Sequence, residues 1–236
     1  DRSVSRGLGD VYKRQVLRRF AAEGISRKEV FITSKIDNHQ QYVGNMNKCV
    51  DDSLKTMKTD YLDCMLFHWP VQNHFEENWL QLEDAYKKGK VRSIGIANAK
   101  IFHIERLRMY GATIVPHVIQ TEIHPFNSCL QLRDYSEKHK IALQACSSLA
   151  NMIDKMKYNK TLIDLSRKYS VSLVLLVLRW HLQSNIAPLF RSFNPKHIEE
   201  IKRVFTFNIS NEDMRLIDAL NENYRYHPES SNCAGF

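Results

Sequence analysis

Glycine is scarce in this chain, 8 of 236 residues, and no glycine-rich phosphate fingerprint follows any apolar segment. That disfavours the dinucleotide-cradling doubly wound fold. Cysteines number 5, at positions 49, 64, 129, 146 and 233, widely spaced and without a C-x-x-C pair. An odd, dispersed set excludes a disulfide frame and a zinc site and fits a reducing compartment, the cytoplasm. No apolar run reaches the roughly 18 residues of a membrane span. The longest, Val171–Leu178, is interrupted by Ser172. The first residues are polar and basic, unlike a secretory signal. The net charge of +8 gathers partly at the start, in Arg2, Arg6, Lys13, Arg14, Arg18 and Arg19. No basic block interleaved with aromatics marks a nucleic-acid face, so a small anionic ligand is the better expectation.

What is present is ordinary for a globular protein: 43% hydrophobic and 25% charged residues. The chain is organised around Asp60–Val71, DYLDCMLFHWPV. A short apolar run ended by a proline predicts a strand buried on both faces. Pro70 cannot extend a ladder, so His68 and Trp69 stand at the strand's carboxyl end. In parallel α/β folds ligands bind there.

Taken in order, residues 1–15 show no helix or strand period and read as a disordered or foreign segment. They are similar to translated linker sequence from read assembly, so the natural protein is expected to start near Val16. Helices are predicted over Val16–Glu23, Val43–Met57, Asn78–Lys88, Ile101–Tyr110, Leu130–His139, Leu162–Tyr169, Leu173–Gln183, Pro195–Phe205 and Asn211–Asn221. Strands are predicted over Val30–Ser34, at the organising run, and over Val91–Ala97, Val115–Glu122, Ile141–Ser147 and Ile186–Phe190. Strand and helix alternate, which means parallel βα units with right-handed crossovers. A parallel barrel needs eight strands. Six are visible, so the expected fold is an α/β (β/α)8 TIM barrel, incomplete, with the first two βα units missing or replaced. Its body is expected over residues 16–222, with a tail over 223–236.

Lys35, His68, Asn98, Gln120 with Glu122, Ser147 and Arg191 with Ser192 each fall at or near the carboxyl end of a different predicted strand. In a closed barrel these ends share one mouth. A lysine and a histidine there suit proton transfer or stabilisation of charge on an oxygen. Asn98 and Gln120 can hold a carboxamide by paired hydrogen bonds. Arg191-Ser192, leading into Pro195, reads as an anion site.

FITSK (Phe31–Lys35), DDSLKTMKTDYLDCMLFHWPV (Asp51–Val71), GKVRSIGIAN (Gly89–Asn98), IQTEIHPF (Ile119–Phe126) and RSFNPKHIEE (Arg191–Glu200) resemble the aldo-keto reductases. The resemblance implies an NADP(H)-dependent, metal-free oxidoreductase reducing aldehydes or ketones by direct hydride transfer. It implies that Lys35 tunes a catalytic tyrosine, that His68 orients the carbonyl oxygen, and that Trp69 lines the substrate pocket. Asn98 and Gln120 would hold the nicotinamide carboxamide. Ser147 and Leu149 would lie along the pyrophosphate. Arg191, Ser192 and His197 would grip the adenosine 2′-phosphate, and Glu200 would meet the adenine.

The departures are specific. The family's acidic pair, Asp and Tyr, falls near Asp10 by spacing, and Tyr12 lacks the neighbouring pattern. The chain as written is therefore expected to lack its acid. Ala97 replaces a serine and Cys146 the aromatic that stacks on the nicotinamide. Ser148 and Phe190 replace prolines, Arg191 a lysine, His197 an arginine and Ile201 an asparagine. A histidine of ordinary pKa is mostly neutral at pH 7, which leaves NAD(H) as an alternative cofactor. The cofactor-side changes raise a competing reading, a non-catalytic barrel that binds or assists another protein. A metal-free lyase or isomerase barrel is a third. Partner copies and the carbonyl substrate are not readable.

Overall fold

The computed structural model describes residues 8–227. These form two compact units by their contacts, divided between Ile119 and Gln120. Residues 1–7, part of the expected foreign segment, and 228–236 lie outside the described residues.

The first unit opens with α1 (Leu8–Ala22), which begins well before the expected Val16. The expectation of an unstructured stretch to Gln15 therefore fails for residues 8–15. An Asp10–Lys13 pair at 2.9 Å supports its first turns. Gly24, at φ 81°, ends it. Ser26 and Glu29 then form a capping box on a short 3-10 turn. Strands β1 (Thr33–Ile36), β2 (Cys64–Phe67) and β3 (Ile94–Ala97) pair in parallel, with Lys35 opposite Leu66 and Phe67 opposite Ile96. Every residue of β2 and β3 is buried. Their unbroken apolar sequence reflects burial on both faces.

The helix expected over Val43–Met57 starts three residues later, as α3 (Met46–Met57), and a helix that was not expected, α2 (Asn38–Val43), precedes it. Asp37 and Gln40 box the start of α2. Gly44, at φ 77°, ends it, and Asn45 caps α3. A left-handed glycine followed by a good cap breaks a helical period without interrupting the apolar spacing. Helices α4 (Phe75–Lys87) and α5 (Ile101–Tyr110) follow β2 and β3. Trp79 of α4 lies wholly buried against Phe67, its ring 6.0 Å away. Glu83, also buried, accepts hydrogen bonds from the Thr113 and Ile114 amides and the Thr113 hydroxyl. Gly95 stands where β3 meets the start of β4 (Val118–Glu122). A Cβ there would sit 2.1 Å from the Val118 carbonyl oxygen, so only glycine fits.

In the second unit the strand order is β4, β5 (Ala142–Cys146), β6 (Ile186–Pro188), with β5 and β6 parallel. Helix α6 (Leu130–Lys138) joins β4 to β5. Helices α7 (Asp154–Lys157), α8 (Lys160–Lys168) and α9 (Leu173–Gln183) lie between β5 and β6. Leu175 and Leu178 of α9 form a core with Val204, against which Leu149 packs. His181 is fully buried between the carbonyls of Val177 (2.8 Å) and Ile123 (2.9 Å). The expected helix Pro195–Phe205 is α10 (Pro195–Ile201) continued by a 3-10 turn, and α11 (Asn211–Asp218) is the last helix. The tail after it is fastened: the Tyr226 and His227 amides donate to the buried Glu122 carboxylate at 2.5 and 2.9 Å.

Candidate active site

In the first unit the expected site residues lie on or directly after three strands. Lys35 lies on β1, and His68 follows β2 directly, its amide donating to the Ile36 carbonyl at 2.9 Å. Asn98 follows β3 in a left-handed conformation, φ 61°. Its side-chain Nδ2 donates to the His68 carbonyl at 3.0 Å. The left-handed turn lets a short polar side chain reach back across the strand end. One Asn98 N–H is thus committed to the backbone. Burial pushes the His68 imidazole below its ordinary range, the Lys35 ammonium pushes the same way, and Asp37 opposes them. His68 is therefore a neutral donor or acceptor at pH 7. The Trp69 carbonyl accepts from Gln41 Nε2 at 2.9 Å, and the Gln41 carbonyl accepts from Asn78 at 2.8 Å. This relay fixes the loop after His68.

Asp10 and Tyr12 both lie on α1. The Asp10 carboxylate accepts from the Ser34 hydroxyl at 2.8 Å. Successive strand residues point to opposite faces, so Asp10 lies on the face away from Lys35. Tyr12 is 64% exposed on α1. A cleft of about 360 Å³ lined by Arg14, Phe20, Arg27, Met57 and Tyr61 opens beside residues that precede β1 and β2, at the end opposite these side chains.

In the second unit Gln120 of β4 is 4% exposed, and its Nε2 donates to Gln144 Oε1 of β5 at 2.9 Å. Ser147 ends β5 at φ 48°, and its carbonyl accepts from the Ala150 amide at 2.7 Å. Ser148 Oγ donates to the Leu189 carbonyl at 2.8 Å, tying the β5 end to the β6 end. Arg191 is exposed beside the Phe193 ring, its guanidinium carbon 5.3 Å from the centroid. Ser192 Oγ accepts from the Asn194 amide at 3.1 Å, and Asn194 caps α10 through Lys196 at 3.0 Å. His197 is exposed and Glu200 half-buried on α10. Gln144 escapes a sequence reading. The only signal is a glutamine between buried Leu143 and Ala145. No group of three His, Cys, Asp or Glu side chains among the described residues is placed to hold a metal. No described helix is long and apolar enough to cross a membrane.

The model of the aldo/keto reductase family matches residues 8–222. This chain belongs to the aldo-keto reductases. It is 38% identical over 205 residues to glyoxal reductase of Bacillus subtilis, covering 87% of this chain and 73% of that protein. It is 32% identical to methylglyoxal reductase DkgA of Escherichia coli, covering 89% and 76%. Among solved structures, the apo form of Gox0644 aligns at TM-score 0.81 with 29% identity, over 90% of this chain and 75% of that one. A Bombyx mori aldo-keto reductase in complex with NADP aligns at TM-score 0.82 with 26% identity, over 92% and 76%. The fold class of this aldo-keto reductase is thus the (β/α)8 barrel, six strands of which the described residues supply. By family it is an oxidoreductase.

Proposed function

We propose that this aldo-keto reductase uses NADP(H) to reduce small aldehydes and ketones, 1,2-dicarbonyls of the glyoxal type among them. The observation that carries the reading is the placement of Lys35 on β1 and of His68 at the end of the neighbouring strand β2, where burial and the ammonium keep the imidazole neutral. A neutral imidazole can donate to a carbonyl oxygen and hold it in place without carrying a charge of its own. The ammonium of Lys35 favours negative charge developing nearby. Trp69 offers an indole to the substrate side. The glyoxal and methylglyoxal reductases named above support the substrate class.

The cofactor-side residues fit a pyridine nucleotide in their donor chemistry. Gln120 keeps a carbonyl and an N–H beyond its bond to Gln144. Asn98 likewise keeps its carbonyl free of the His68 bond. Both would hold the ring carboxamide. Ser147 and Leu149 would border the pyrophosphate. Arg191, Ser192 and His197 would meet the 2′-phosphate and Glu200 the adenine, with Arg191 the main cation. When bound, the reduced nicotinamide supplies a hydride to the carbonyl carbon. Cys146, in the place of a stacking aromatic, argues for weaker binding than an aromatic would give. NAD(H) is the alternative cofactor.

Neither Asp10, bonded to Ser34, nor Tyr12, exposed on α1, supports the role of proton donor. The proposed consequence is binding without efficient turnover in these 236 residues. Titration with NADPH, followed by nicotinamide fluorescence, tests the reading. Saturable binding with slow reduction of methylglyoxal is expected. No binding at millimolar NADPH would shift the assignment to a non-catalytic accessory barrel.

A further inference from the structure

Gln144 sits in the middle of β5 beside Gln120, and nothing above assigns it a role. Gln144 and Cys146 are two residues apart on one strand and so face the same way. The Gln120–Gln144 bond shows that this is the face Gln120 shares. Gln120 is almost wholly buried, so the orientation of its amide depends on the few partners around it.

A primary amide has two N–H donors and one carbonyl acceptor. Its terminal torsion is broad and roughly two-fold, so nothing intrinsic distinguishes one orientation from its flip. Gln144 Oε1 takes one N–H of Gln120 at 2.9 Å. The set left for a ligand is one N–H and the carbonyl oxygen. That set is the complement of a primary carboxamide, which needs an acceptor for its NH2 and a donor for its carbonyl. It is a poor match for a carboxylate, which has only acceptors to offer.

We propose that Gln144 is a positioning residue that fixes the direction of the Gln120 amide and thereby selects a ring carboxamide over a ring carboxylate. This rests on the reading above that Gln120 meets the nicotinamide. Glutamate at 144 still accepts from Gln120 and preserves the orientation. Lysine at 144 can only donate. It turns the Gln120 carbonyl toward itself and leaves two N–H groups facing the ligand. Leucine at 144 leaves the amide free to flip.

The test measures Kd by fluorescence for NADPH and for its analogue with a carboxylate in place of the ring carboxamide. The full chain and its Gln144→Glu, Gln144→Leu and Gln144→Lys variants are compared, with circular dichroism confirming that each folds. Expected is a preference for NADPH in the parent that Gln144→Glu keeps. Gln144→Leu should lose on the order of tenfold in NADPH affinity, the scale of one hydrogen bond. Gln144→Lys should reverse the preference toward the carboxylate analogue. If a leucine variant does not fold, the glutamate and lysine variants decide between them. Parent-like affinities and preference in Gln144→Lys would overturn the inference while leaving the cofactor reading intact. Failure of the parent to bind NADPH would overturn the cofactor reading, and this inference with it.

Discussion

Lys35 and His68 are opposite in what they need from their surroundings, and the fold makes each answer for the other. The ammonium is one reason, after burial, that the imidazole stays neutral. Lys35→Met should therefore let the His68 pKa rise toward the ordinary histidine range. An NMR titration of the His68 ring proton reads this, and an unmoved midpoint would remove Lys35 as a cause. Cys146 makes the second residue-scale case. Restoring an aromatic with Cys146→Tyr should add stacking of about 1 kcal/mol and tighten NADPH binding by roughly fivefold. Unchanged affinity would mean that the β5 end does not face the nicotinamide. Arg27 makes a third. Its guanidinium donates to the Val30 and Tyr61 carbonyls, the Thr59 hydroxyl and the buried Asp63 carboxylate. Asp63 in turn accepts from the Ile32 amide at 2.9 Å, just before β1. Arg27→Ala leaves the buried Asp63 with only the more distant Arg92, 3.7 Å away, at a cost of about 2 kcal/mol in chemical denaturation.

At the scale of elements, α9 and α4 carry buried titratable groups that link stability to pH. Burial drives the His181 pKa down to about 4 from 6.5, although two backbone carbonyls pull the other way. A folded-state pKa below the unfolded one means stability that is present above pH 6.5. It is lost as pH falls toward 4, by roughly 3 kcal/mol. His68 acts in the same direction to a smaller degree, being partly exposed. Denaturant midpoints between pH 7 and 4 should fall steeply in the parent and less steeply in His181→Gln. Burial also raises the Glu83 and Glu122 carboxyls. For Glu83 the Thr113 and Ile114 bonds outweigh that. For Glu122 the His124 ring and the Tyr226 and His227 amides do. Both end below 4.5, so their contribution is lost only in more acidic solution. The β3–β4 approach makes a sharper element-scale case. Gly95→Ala drives a methyl into the Val118 carbonyl, which cannot give way without separating the strands. A loss of about 3 kcal/mol or more, or failure to fold, is expected in thermal melts.

For the whole molecule, the strand order has ends. Among the described residues β1 and β6 each pair on one side only. Unpaired edges template association; Pro188 blunts β6, and only its shortness and Lys35 blunt β1. Light scattering on a column should show concentration-dependent association of this chain. A sharply melting monomer at all concentrations would contradict it. The chain spans about three quarters of the length of the Bacillus subtilis and Escherichia coli relatives.

The sequence by itself determined the alternation of strands and helices and the family. Each is written in local periods or in contiguous motifs such as DYLDCMLFHWPV and IQTEIHPF. It missed α2 and started α3 three residues early, because the polar run Asn38–Gln41 shows no apolar period. Only the tertiary structure decided that Asp10 accepts from Ser34, that Asn98 spends an N–H on the His68 carbonyl, and that Gln120 leans on Gln144. Those partners lie 24 to 30 residues apart. Which of them meet depends on strand register and on which face each side chain takes, and a shift of one residue reverses the face.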